Sequence, residues 1–237
     1  TLAPGARAVA VKDPGAFSFR YPDVPATQIA GDFLHGSGLR NSGERLTLQS
    51  ANGTIVANFV YGDSEPWPPA ADGAGPSLVL MRPATNPDSG EPLNWRPSAV
   101  SGGNPAEGDA LLFVGDPNRD DDGDGLTAYA EHALGTSDRD SSSREGLRIE
   151  VQQFEVEGQI ADFLTVTFPQ DLRAEDVEVV PQVSADLIEW ESEAVVPVFV
   201  SQAPGAGTRV VVSYRLSIPV PDCPRLFARL LVQGRPH

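Results

Sequence analysis

The chain has 237 residues, a formal net charge of -16 and a single cysteine. This length suffices for two domains of roughly 100 residues each, and one cysteine excludes a scaffold held together by internal disulfides. Because so acidic a chain repels phosphate backbones, we expect no nucleic-acid partner. No apolar run approaches the roughly 18 residues that span a bilayer. No signal peptide is visible either, and we expect a fragment of a longer, exported chain.

The first segment is rich in Gly, Pro, Ser and Asn and contains short strand patterns at 46–49, 54–61 and 77–82. Between the first two strands, Asn52-Gly53 predicts a two-residue type I′ turn and therefore a hairpin. Alternation along the second strand places four apolar or aromatic side chains on one half-buried face: Ile55, Ala57, Phe59 and Tyr61.

The second segment contains a calcium-loop motif, because residues 120–131 match D-x-D-x-D-G-x5-E at each defining position. In such a loop the carboxylates and one backbone carbonyl converge on Ca²⁺, which takes six to eight oxygen ligands. The predicted ligands are Asp120, Asp122, Asp124, the backbone carbonyl of Leu126, and Glu131. The alternative is an acidic, solvated linker that meets these spacing requirements by coincidence.

Residues around the loop leave the number of ions open. Position 9 is Ala128, which has no ligating side chain, so a water or another group must bind there. Asp138 and Asp140 follow shortly after, and they could complete the first ion, hold a second one or form a charged turn. Residues 126–134 predict a helix that ends at Gly135.

The third segment predicts strands throughout, because its apolar runs are separated by turn residues about every ten positions. This spacing is typical of an antiparallel sandwich. The predicted strands are 147–154, 163–168, 177–183, 195–200, 209–218 and 226–232.

The loop and the residues that follow it resemble the thrombospondin type 3-like calcium repeats of bacterial surface proteins. The resemblance rests on Asp-Gly-Asp-Gly-Leu-Thr at 122–127, on Glu131 and on Leu134-Gly135-Thr136. Only one full repeat is present, so the resemblance does not imply a long calcium-bound stalk.

The first segment, over residues 1–105, resembles a bacterial lamin-tail domain, a family with an immunoglobulin-like sandwich and no catalytic residues of its own. The family's opening run, of the type Glu-Phe-x-Glu-Leu, is missing, so we expect an open sheet edge that invites pairing with another chain. The matching runs are 39–48, 51–53, 60–63, 66–68, Ser77-Leu78, Asn94-Trp95 and Ser98.

The third segment resembles the C-terminal sandwich of many large secreted proteins of planctomycetes and verrucomicrobia. The resemblance rests on Val-Ser-Ala-Asp-Leu-Ile-Glu-Trp at 183–190 and on a closing strand at 225–230. No activity follows from it.

Other candidate sites are better interpreted as structural. Gly62-Asp63-Ser64 resembles an esterase nucleophile block, but prolines follow it and Gly234 stands where that family's Asp-x-x-His requires an aspartate before His237. The remaining candidates lack partners at catalytic or metal-ligand spacing. We therefore interpret His35 and His132 as surface histidines, Cys223 as a partly buried thiol, and Trp67, Trp95 and Trp190 as packing residues.

The sequence therefore predicts an all-β protein with two immunoglobulin-like β-sandwich domains, 1–108 and 147–237, joined by a calcium-binding loop-helix connector, 109–146. The predicted function is non-enzymatic: an extracellular or cell-surface module whose structural Ca²⁺ stiffens the joint between the domains. Surface proteins, polysaccharide or a second copy are expected partners. The alternatives are an accessory region of a secreted enzyme whose catalytic domain lies upstream, and a carbohydrate-binding module.

Overall fold

The computed structural model describes residues 2–3, 5–32, 38–201, 208–220 and 226–235. The chain divides into two compact units, unit 1 (Thr1–Asp109) and unit 2 (Ala110–His237). Strands predominate in the described ranges over two short α-helices, α1 (Pro14–Arg20) and α2 (Ala128–Leu134), which confirms the all-β class. Over the same ranges, no helix has the length and apolar character that a membrane span requires. The positions of His35, Cys223 and His237 lie outside the described residues.

Unit 1 consists of three separate two-stranded sheets within its described residues. The pairs are β1 with β2, which is parallel, and β3 with β4 and β5 with β6, which are antiparallel. The immunoglobulin-like sandwich predicted for this segment stays a prediction. The strands are β1 (Val9–Val11), β2 (Ile29–Asp32), β3 (Glu44–Gln49), β4 (Ile55–Tyr61), β5 (Leu78–Leu80) and β6 (Trp95–Pro97).

The hairpin of β3 and β4 forms as expected, but its turn differs from the prediction. The amide of Ser50 donates to the carbonyl of Thr54, and the amide of Gly53 donates to the carbonyl of Ser50. Gly53 has a positive φ of 85°, whereas Asn52 does not, so the predicted type I′ turn is wrong. The Asn52 side chain instead accepts the Thr54 amide at 3.1 Å, which favours a longer turn with glycine alone in the left-handed region.

Polar side chains hold the centre of unit 1. Arg96 is 1% exposed and donates to the carboxylate of Asp109 at 2.5 Å. The second carboxylate oxygen of Asp109 accepts the amide of Ala99. Burial alone would raise the pKa of Asp109, but the hydrogen bond from Arg96 and the amide of Ala99 lower it below its usual value.

Unit 2 contains a four-stranded antiparallel sheet in the order β10-β11-β8-β7 and a two-stranded antiparallel sheet of β12 and β9. Each strand lies close to a predicted one, although β8 begins earlier than expected, directly after the turn at Gly158. The strands are β7 (Arg148–Val156), β8 (Gln159–Asp171), β9 (Val177–Ser184), β10 (Val195–Ser201), β11 (Arg209–Leu216) and β12 (Phe227–Gly234).

One hydrophobic core joins the two sheets of unit 2 to a helix. Alternate residues of β8, β9 and β11 point into it, as the two-residue period of a strand requires. The helix α2 (Ala128–Leu134) contributes its last two residues, which are 0% and 2% exposed. The buried members are Ala133, Leu134, Val166, Phe168, Ala174, Val177, Val179, Val210 and Val212.

The helix of the predicted connector thus belongs to the core of unit 2. The end of α2 is fastened by Arg209, whose Nε donates to the carbonyl of Leu134 at 3.3 Å and whose Nη2 donates to Glu145 at 2.9 Å. These two contacts close residues 135–144 into a loop with a fixed base. The acidic motif lies immediately before α2, so the core positions one end of it.

Candidate metal centre

The acidic loop is shaped by hydrogen bonds between its own carboxylates and amides. Asp120 accepts the amide of Gly123 through Oδ1 at 2.8 Å and the amide of Gly125 through Oδ2 at 3.0 Å. Both glycines have positive φ values, 74° and 94°, which side chains rarely adopt. The glycines therefore allow the backbone to turn around the first aspartate.

Two further aspartates use one oxygen for the loop and leave the other unused. Asp122 Oδ1 accepts the amide of Asp124, and Asp124 Oδ1 accepts the amide of Leu126. Their Oδ2 atoms are buried and have no hydrogen-bond partner. One carboxylate oxygen from each of Asp120, Asp122 and Asp124 lies within 4.8 Å of the others, an arrangement that could hold a metal ion.

The last predicted ligand is placed by the helix. Thr127 caps α2 by accepting the amide of Ala130, and the amide of Ala128 donates to the carbonyl of Arg119 at 2.6 Å, which closes the loop. Glu131 follows one turn later and is 1% exposed. The close group of three carboxylates does not include it, but it lies near enough for Asp122 and Asp124 to perturb its ionisation.

Glu131 is a buried carboxylate without a partner. Neither Oε1 nor Oε2 has a hydrogen-bond partner of ordinary length, although the hydroxyl of Thr136 lies near enough to act on the carboxylate. Burial raises the pKa of Glu131; the hydroxyl of Thr136 opposes this rise, and the charges of Asp122, Asp124 and Asp138 add to it. Burying a carboxylate without compensation is strongly unfavourable. A cation bound at this position would provide the missing compensation.

The remaining acidic residues of this region differ in their hydrogen-bond and ion-pair partners. Asp121 pairs with Arg119. Asp140, predicted as an additional ligand, accepts both the amide and the hydroxyl of Ser142, and these contacts lower its pKa. Asp138, the other additional ligand, has a distant ion pair of 3.9 Å with the exposed Arg139.

The hydroxyl of Thr136 is a candidate that the sequence reasoning missed. Its Oγ1 is buried and has no hydrogen-bond partner, and its amide donates to the carbonyl of Glu131 at 3.0 Å. Gly135 has the left-handed conformation, with a φ of 71°. It reverses the chain at the end of α2 and brings Thr136 back beside Glu131. The sequence signal that could have pointed to Thr136 was the predicted end of the helix at Gly135.

The prediction that His132 lies on the surface is wrong. Its side chain is 8% exposed, and its Nε2 lies 2.9 Å from a carboxylate oxygen of Asp176. The ring packs against Phe113 and Tyr129. Burial alone would raise the pKa of Asp176, but the contacts with His132 and the amide of Phe113 lower it. His132 and its contacts Phe113, Tyr129 and Asp176 all belong to unit 2.

The catalytic and aromatic candidates have structural contacts. The hydroxyl of Ser64 donates to Asp63, its neighbour in an exposed turn. Trp67 and Trp95 pack together in unit 1 with ring centroids 5.9 Å apart. In unit 2 the guanidinium of Arg229 lies 4.1 Å above the ring centroid of Trp190, so one face of this tryptophan is covered.

No protein-family model matches the chain, and neither a curated protein nor a solved structure is significantly similar to it.

Proposed function

We propose that the chain is a non-enzymatic, exported surface or matrix module with a structural calcium site formed by residues 120–131. The observation that carries this proposal is Glu131, a fully buried carboxylate without a hydrogen-bond partner beside three converging aspartates. Hard carboxylate and carbonyl oxygens are the ligands that Ca²⁺ prefers. The backbone carbonyl of Leu126 is the neutral member of the set.

Calcium stabilises the form of the protein to which it binds. If the ion binds only when the loop and α2 are in place, it adds RT ln(1 + [Ca²⁺]/Kd) to the stability of that form. Because Ala133 and Leu134 of the same helix are buried in the core, this stabilisation reaches unit 2 as a whole. Extracellular modules with this loop type bind Ca²⁺ at roughly 10⁻⁴ to 10⁻³ M, so the ordered form would prevail outside the cell.

Ordering of the loop also restricts the joint between the units. The boundary follows Asp109, and the acidic loop begins shortly after it in the sequence. In this proposal the ion that holds residues 120–131 in one conformation also stiffens the chain that follows the boundary.

Calorimetric titration of the intact chain with Ca²⁺, after EDTA treatment and dialysis, tests this proposal. We expect heat of binding at or below millimolar Ca²⁺, and protection of residues 115–145 from proteolysis by calcium but not by EDTA. The absence of binding heat together with unchanged proteolysis would overturn the proposal.

Two variants make the test specific. Glu131→Gln removes the buried charge and should weaken Ca²⁺ binding at least tenfold. Asp121→Asn is the matched control, because it removes the same charge from the same loop but its carboxylate pairs with Arg119. An equal loss of affinity in both variants would show that general negative charge, and not the proposed site, attracts the ion.

Carbohydrate binding is a second candidate function, favoured by a cavity of about 420 Å³ in unit 1. Its lining residues include Phe59, Trp95, Asp63 and Asp72. Aromatic faces stack on sugar rings, and carboxylates accept hydrogen bonds from hydroxyl groups. A glycan array probed with the intact chain and with Trp95→Ala tests it; an array without hits would remove this candidate.

A further inference from the structure

We propose that Asn52, in the turn of the hairpin of β3 and β4, is a self-modification site that converts to aspartate and isoaspartate by deamidation. The hydroxyl of Ser50 and the amide of Thr54 promote the reaction. This inference is independent of the proposed calcium site, because no residue of the acidic loop takes part in it.

The first observation is the residue that follows Asn52. Deamidation begins when the backbone nitrogen of the next residue attacks the side-chain carbon Cγ, so a side chain on that next residue hinders the attack. Asn52 is the only one of the seven asparagines in the chain that precedes a glycine. A Cβ placed on Gly53 would meet no atom of the surrounding described residues within 4 Å. The approach to Asn52 is therefore sterically open.

The second observation is the pair of hydrogen-bond donors on the side-chain carbonyl of Asn52. The hydroxyl of Ser50 donates to Oδ1 at 2.5 Å, and the amide of Thr54 donates to the same atom at 3.1 Å. Oδ1 carries no hydrogen, so the hydroxyl is the donor in the shorter contact. Both donors withdraw electrons from Cγ, and they stabilise the negative charge that develops on Oδ1 when the nitrogen attacks.

One contact opposes the reaction. The amide of Gly53 donates to the carbonyl of Ser50 at 2.9 Å, and this bond must open before the nitrogen can attack. A hydrogen bond at an exposed position contributes little net stability, because water replaces it when it opens. Residues 50–54 are all exposed. The opening is therefore a small barrier, whereas the two donors on Oδ1 act on the attack itself.

The reaction balances with water as its only co-reactant. The nitrogen of Gly53 loses its proton to water and bonds to Cγ of Asn52. The Cγ–Nδ2 bond breaks, and Nδ2 takes a proton from water and leaves as ammonia, which gives a cyclic succinimide. Water then opens the ring: attack at Cγ gives aspartate, and attack at the backbone carbonyl carbon gives isoaspartate. Either product adds a negative charge, and isoaspartate also lengthens the backbone of the turn.

The products alter a hairpin that forms part of the cavity in unit 1. Leu46 of β3 and Phe59 of β4 are paired in the hairpin, and both line the cavity. The length of the turn fixes the register of a hairpin. The longer backbone of isoaspartate is therefore expected to disturb the pairing nearest the turn, between Gln49 and Ile55.

Incubation of the intact chain at mildly alkaline pH, followed by peptide mapping with mass spectrometry, tests this proposal. We expect aspartate and isoaspartate at Asn52 before any other asparagine converts, at a rate that rises with pH because the attacking nitrogen must lose its proton. Ser50→Ala should slow the conversion by roughly three- to tenfold, the effect of one hydrogen bond. Thr47→Ala is the matched control, because it removes a hydroxyl that donates to Asn58 on the same hairpin. This control should leave the rate at Asn52 unchanged.

The outcomes that would overturn the proposal are specific. If Asn52 stays unmodified in the folded chain under conditions that convert it in the urea-unfolded chain, the hairpin protects this residue and the proposal is wrong. Equal rates in the wild type and in Ser50→Ala would remove the hydroxyl from the mechanism. The comparison of folded and unfolded wild type requires no substitution, so it remains decisive even if a variant fails to fold.

Discussion

Units 1 and 2 are stabilised by different kinds of interaction. The buried apolar residues of unit 2 form a core between two sheets and a helix, whereas the buried apolar residues in the described part of unit 1 are Val11 and Pro97 alone. Arg96, 1% exposed, occupies the centre of unit 1. Hydrophobic burial thus dominates one unit, and a buried ion pair with loop hydrogen bonds dominates the other. The most damaging kind of substitution should therefore differ between the units: loss of the buried ion pair in unit 1 and truncation of the apolar core in unit 2.

The largest expected effect is the loss of the buried arginine of unit 1. Arg96→Leu leaves Asp109 buried without its cation, and breaking a buried pair in this way costs about 4 kcal/mol. The measurement is urea unfolding followed by tryptophan fluorescence in a Trp190→Phe background, so that the signal comes from Trp67 and Trp95. Arg45→Leu, at an exposed position of β3, is the control and should change little. Equal effects would contradict a polar centre in unit 1.

A core truncation in unit 2 is expected to rank second. Leu134 is 2% exposed, and Leu134→Ala should lower the free energy of unfolding of unit 2 by about 3 kcal/mol. Because the same helix holds Glu131, Ca²⁺ affinity should fall with it. Calorimetric unfolding with and without Ca²⁺ measures both effects. Ile188→Ala, at a position that is 81% exposed, is the control; a loss of stability without any loss of Ca²⁺ affinity would separate the metal centre from the core.

The third prediction concerns pH. Burial alone would raise the pKa of Asp171, but hydrogen bonds from the side chain and amide of Arg173 and from the hydroxyl of Thr208 lower it. A carboxyl with a lowered folded-state pKa stabilises the protein above its unfolded pKa of roughly 3.9 and loses that contribution as the pH falls through the folded value. Unit 2 should therefore lose stability below about pH 4.

Asp171→Asn isolates this contribution. It should cost about 2 kcal/mol at pH 7, since the partly exposed Arg173 loses its ion pair. The variant should also show a weaker fall in stability between roughly pH 5 and pH 2 than the wild type. Identical slopes of the unfolding free energy against pH in the two proteins would contradict the prediction.

The smallest expected effect is at the edge of the larger sheet. Val151 of β7 is 56% exposed, so Val151→Lys should change the unfolding free energy by no more than about 0.5 kcal/mol. A lysine on an edge strand opposes pairing with another chain. If the wild type self-associates through β7, light scattering should show less association in the variant; association that persists unchanged would assign it to another surface.

Local signals in the sequence predicted much of the secondary structure. The strands of unit 2 and the helix stop at Gly135 followed from β-branched runs and turn residues. The helix α1 (Pro14–Arg20) was missed, although its signal was present: Asp13 caps it by accepting the amides of Gly15 and Ala16, and proline is favoured at the first helical position. Short elements with clear caps are therefore within reach of sequence reasoning.

Tertiary contacts decided what the sequence could not show. The motif indicated the acidic candidate ligands, but nothing local indicated that α2 packs into a core, and this packing buries His132 against Asp176. The same packing leaves Glu131 without solvent. Thr136 enters the site only because the chain reverses after Gly135, and this return depends on the fold around it.

The contacts of Arg209 have a practical consequence for protein engineering. Because Arg209 holds both Leu134 and Glu145, the loop between them is fixed at its base, and its tip at Ser141 is exposed. The entropic cost of lengthening a closed loop grows only slowly with its length. An epitope tag or a small reporter peptide inserted after Ser141 should therefore leave the fold intact, which makes this tip a handle for attaching the protein to a solid support.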